Sequence, residues 1–70
     1  MAQVKVFYDR IGNTLTVWFG NPKDEVMCED TGHEVILMKD ESGCVIGFEK
    51  LNYSVAESEQ MNVAFEAVAV

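Results

Sequence analysis

Seventy residues suit one domain, 1–70, because a second hydrophobic core would have nothing left to form from. Five basic against twelve acidic residues give a formal charge of −7, a field that repels nucleic-acid backbones and anionic membrane surfaces. No window approaches ~18 consecutive apolar residues, and no signal-peptide pattern opens MAQVKVFYD, so a cytoplasmic protein with reduced thiols is expected.

Residues 3–9, QVKVFYD, alternate Val4, Val6 and Tyr8 with Gln3, Lys5, Phe7 and Asp9, a period-two strand rich in β-branched and aromatic residues. Arg10-Ile11-Gly12-Asn13 supplies a turn in which Gly and Asn tolerate positive φ. Thr14 to Phe19 forms the return strand, with Leu15, Val17 and Phe19 on one face and Thr14, Thr16 and Trp18 on the other. Gly20 to Asp24 is a loop. Val26-Met27-Cys28 reads as a short strand before the polar stretch Glu29 to His33.

Glu34 to Lys39 is apolar on both faces, as suits a central strand covered on two sides. Asp40-Glu41-Ser42-Gly43 is a turn with Gly at a left-handed position. Cys44 to Leu51 returns as the partner strand, and Gly47 within it leaves room for a bulge or a neighbour's side chain. Ser54 to Glu57 fits a capping box, which offers Ala56 to Gln60 one or two helical turns. Met61 to Val70 has two readings. Alternation and the β-branched ending favour a strand, while Ala64, Ala67 and Val68 would share a helical stripe. The fold class is therefore mainly β, with a small α+β variant open: an antiparallel sheet of two hairpins, 3–19 and 34–51, plus a C-terminal strand or short helix.

The pair Tyr8-Asp9, the strand Leu15-Thr16-Val17, the turn Asp40-x-x-Gly43 and the run Val45-Ile46-Gly47-Phe48-Glu49 occur in an order that resembles the DUF2283 family of small bacterial proteins. The resemblance covers residues 4 to about 54. Asn13-Thr14 departs from it, since the family usually has an acidic residue and Ala there. The Trp18 to Asp24 region and the C-terminal tail are also less typical. The resemblance implies a compact β-rich fold and brings no catalytic residue with it. Members commonly lie beside genes for small toxin-like proteins, which implies an antitoxin or partner-binding role as one option.

Chemistry has few footholds. Cys28, His33 and Cys44 are the soft ligands, without the C-x₂₋₄-C spacing of a zinc site, and the expected state is two buried thiols and a solvated histidine. No metal, cofactor or catalytic residue is expected. Paired carboxylates such as Glu29-Asp30 and Asp40-Glu41 read as turn and surface residues. Asp9 is expected to accept turn N–H groups, and Glu49 to pair with a base such as Lys5.

Trp18, Tyr8, Asp9, Phe48 and Glu49 are the candidates for an interaction surface, with Trp18 foremost because aromatics anchor interfaces. The tail packing over Trp18 is the competing reading. With 49% hydrophobic residues and two apolar sheet faces, the expectation is a non-enzymatic homo-oligomer, a dimer. A small basic protein partner is the alternative, and an enzyme of unrecognised type the third option.

Overall fold

The computed structural model describes residues 3–69. Five antiparallel strands form one sheet: β1 (Lys5–Asp9), β2 (Thr14–Trp18), β3 (Met27–Asp30), β4 (Val35–Lys39) and β5 (Val45–Lys50). Their order is β1-β2-β5-β4-β3, so β3, β4 and β5 form a meander and the long 19–26 connection returns the chain to place β2 beside β5. That is a Greek-key arrangement.

Both expected hairpins form. In the first, Asp9 Oδ1 accepts the Ile11 and Gly12 N–H groups at 2.9 and 3.0 Å, and Asn13 takes the left-handed conformation at φ 56°. In the second, Asp40 Oδ1 accepts the Ser42 and Cys44 N–H groups at 3.0 and 2.9 Å, while Gly43 lies at φ 84°. Short carboxylates thus close both turns. The short strand expected at Val26 to Cys28 lies one position further on and runs to Asp30, pairing with β4 as a third hairpin. Glu34, expected to open its strand, is instead left-handed at φ 61° in the turn before β4.

The C-terminal expectations are corrected. Residues 56–59 close a lone turn through Glu59 N–H to the Ala56 carbonyl (2.9 Å), and residues 61–69 are neither strand nor helix. Alternation satisfies the side-chain requirement of a strand, but an extended backbone also needs a hydrogen-bonding partner. No backbone of the described chain supplies one here. Val70 and the start of the chain, Met1-Ala2, lie outside the described residues.

Register assigns the faces. Val6, Leu15, Val17, Leu37 and Phe48 share one face with Tyr8, while Thr16, Trp18, Ile36, Met38 and Glu49 share the other. Two bulges, a feature that increases local twist in general, lie near the Trp18 end of β2. One interrupts the β4–β5 register between Met38 and Lys39. In the other, Phe19 and Gly20 both donate to the Ile46 carbonyl at 2.9 Å. Burial is shallow everywhere. Met38 at 5% exposure and Ile46 at 8% are the buried hydrophobic residues, and no described side chain is fully buried. Among the described residues no second layer of helix or strand covers the sheet, and both apolar faces stay part-wet.

Candidate interaction surface

Tyr8 is the anchor on the first face. β1 carries it inward, and its Oη accepts the Val55 N–H at 2.7 Å. The Tyr53 ring meets it edge-on at 5.8 Å and 88°, and the Arg10 guanidinium lies 5.6 Å from its centroid. Arg10 also donates to the Glu59 carbonyl at 3.2 Å. These contacts draw residues 53–60 along β1, and a shallow groove forms between Val6, Tyr8 and Arg10 on one wall and Gln60, Met61 and Val63 on the other. Arg10 and Tyr53 were missing from the sequence candidates. The signal available was weak: an aromatic after the last strand and one arginine in a turn, 43 positions apart.

Trp18 lies on the opposite face, half-buried. A Cβ on Gly47 would stand 2.7 Å from Trp18 Cε3 and 2.7 Å from the Val17 carbonyl oxygen. The indole therefore uses the space that the glycine leaves, with Met38 paired to Gly47 on its other side. The tail contacts described here are on the Tyr8 face. Glu49 shares the Trp18 face but not with the partner expected: Thr16 Oγ1 donates to its Oε2 at 3.3 Å. Lys5 stands opposite Trp18 in the register, two strands from Glu49. Phe48 faces the Tyr8 side, opposite Val17 and Leu37. The five sequence candidates thus divide: Tyr8 and Phe48 on one face, Trp18 and Glu49 on the other, and Asp9 at the first turn.

The reactive side chains are equally scattered. Asp9 ends β1, Glu49 sits mid-sheet, and His33 occupies the β3–β4 turn, with β1 and β4 three strand spacings, roughly 14 Å, apart. Both cysteines are exposed and free, against the expectation of buried thiols. Cys28 belongs to an edge strand with no layer above it, and its thiol donates to Glu25 Oε2 at 2.6 Å. That hydrogen bond, with some desolvation and the carboxylate's charge, pushes the thiol's pKa up, which disfavours the nucleophilic thiolate. Among the described residues no group of three His, Cys, Asp or Glu side chains is placed to hold a metal ion.

Two carboxylates titrate below their ordinary values. Asp40 is held down by the Ser42 hydroxyl and by the backbone N–H groups of the turn. Glu34 is held down by Asn52 and then Lys50, with Asn52 Nδ2 at 3.0 Å and Lys50 Nζ at 3.2 Å. Both serve turns. An open cleft at the other end of the sheet brings Asp24, Asp40 and Glu41 near Lys23 and Ser42. The described residues contain no helix long and apolar enough to cross a membrane.

No curated protein and no solved structure matches the chain. Residues 5–54, which include all five strands and end beside the Tyr8 anchor, match the family model described as Protein of unknown function (DUF2283), and the chain belongs to that family.

Proposed function

We propose that this protein acts as a non-enzymatic β-sheet domain that self-associates, as a homodimer in the cytoplasm. The observation that carries this is surface area. The chain exposes 5653 Å², whereas a compact monomer of its size exposes about 4,400 Å². The excess is roughly 1,300 Å² per chain, or about 2,600 Å² for two, the range of obligate homodimer interfaces. The Cα radius of gyration agrees: 13.6 Å against about 11 Å for a compact chain of this length. Two exposed free thiols suit a reducing compartment, and the dispersal of Asp9, Glu49 and His33 supports a role without catalysis.

Light scattering at micromolar concentration is expected to return twice the chain mass, with no binding of an apolar dye. A monomer mass would overturn the proposal. A small basic protein is the second reading, favoured by the −7 charge and the acidic cleft around Asp24, Asp40 and Glu41. It predicts that pull-downs from native lysate recover such a protein in a salt-sensitive complex.

A further inference from the structure

We infer that the C-terminal arm, residues 61–69, pairs with the outer edge of β1 in a second copy of this chain, so that two protomers exchange arms across a two-fold axis. The inference rests on the self-association proposed above and names the surface that performs it. The arm forms neither helix nor strand, and none of its backbone groups bonds to backbone elsewhere in the described chain. Its apolar side chains are wet: Phe65 is 89% exposed, Val68 77% and Val63 63%. An unpaired strand-like segment of this kind gains most where a free sheet edge can take its N–H and C=O groups.

The sheet has two such edges, and three observations select β1. The first is position. Met61 and Val63 line the groove opposite Val6 and Tyr8, which puts the root of the arm beside its own β1, so a two-fold axis near this edge would present the partner's β1 to the rest of the arm. The second is charge. The arm carries Glu66; β1 carries Lys5 and Asp9 with Arg10 just beyond, a balance of +1, whereas β3 carries Glu29 and Asp30, a balance of −2 that the Lys39 ion pair offsets in part. The third is length. Nine residues reach about 30 Å if extended, and β1 offers a five-residue edge against four in β3; exposed apolar surface is similar on the two, Phe7 at 55% and Met27 at 52%.

Sedimentation velocity on the full chain, on a variant ending at Gln60 and on Phe65→Asp tests this. The full chain is expected at twice the chain mass and both variants at half of that. Phe65 is almost fully exposed, so its replacement removes no packing within the protomer. If the full chain is dimeric and Phe65→Asp stays dimeric, arm exchange is overturned while self-association stands. If the full chain is a monomer, both fall. Hydrogen exchange on the full chain supplies the second readout: dilution through dissociation is expected to release residues 61–69 and β1 together. Release at β3 in place of β1 would overturn the assignment of the edge.

Discussion

Gly47 shows how one missing side chain organises a face. Its backbone lies between Trp18 and Met38 in the register, and the indole fills the volume above it. An added methyl would meet both the ring and the Val17 carbonyl oxygen at 2.7 Å, and a backbone oxygen in a paired strand has little room to retreat. Gly47→Ala is therefore expected to destabilise the fold by about 1–3 kcal/mol, the usual cost of overpacking. A fall in the urea midpoint with unchanged slope would show it, and tryptophan fluorescence would report the displaced ring. A stability equal to the parent's would mean that the ring moves aside freely.

At the level of elements, the turns are the self-contained units. Asp40 binds three groups of its own loop, the Ser42 N–H, the Ser42 hydroxyl and the Cys44 N–H, and is held below its ordinary pKa in consequence. A lowered folded-state pKa means stability that is present above the unfolded value and lost as pH falls through the folded one. The urea midpoint is expected to hold from pH 7 to about 5 and to fall below about pH 4, and Asp40→Asn should flatten that fall. An identical acid profile in the variant would remove Asp40 from the account.

These turns also explain what was legible. Asn13, Gly43 and the two Asp residues act within a few positions, so their roles can be read locally, and alternation supplied the strands between them. Pairing of β2 with β5 joins residues about thirty positions apart and leaves no local mark. The same holds for Tyr8 with Tyr53 and for Glu49 with Thr16. Residues 61–69 have the alternation of a strand, but alternation does not name a partner. The cysteines were misplaced for a related reason: residue type predicts burial on average, whereas a one-layer sheet has little interior to offer.

For the molecule as a whole, charge and apolar surface act in opposite directions. Two chains of formal charge −7 repel each other, so the association of identical copies must overcome that field. Added salt screens it, with a Debye length of about 8 Å at physiological ionic strength and about 3 Å at 1 M. Self-association is expected to tighten between 50 mM and 500 mM sodium chloride, as read from the dimer dissociation constant by sedimentation. A complex with a basic protein would weaken over the same range. Opposite signs in one titration thus separate the two readings of the acidic surface.

The acidity of β3 has a consequence for how large an assembly can become. A sheet with two equally receptive sides is a monomer unit for a fibre, because each addition exposes a fresh template. Here the far strand is four residues long, with Glu29 and Asp30 at its end and Glu29 tied to Lys39 at 2.7 Å. With Glu29 paired to Lys39, Asp30 is the carboxylate left to disfavour another copy of so acidic a chain on that side. Growth would be confined to the opposite side, and a two-fold exchange there uses up both receptive strands at once. On the arm exchange proposed above, assembly would stop at a closed pair rather than polymerise.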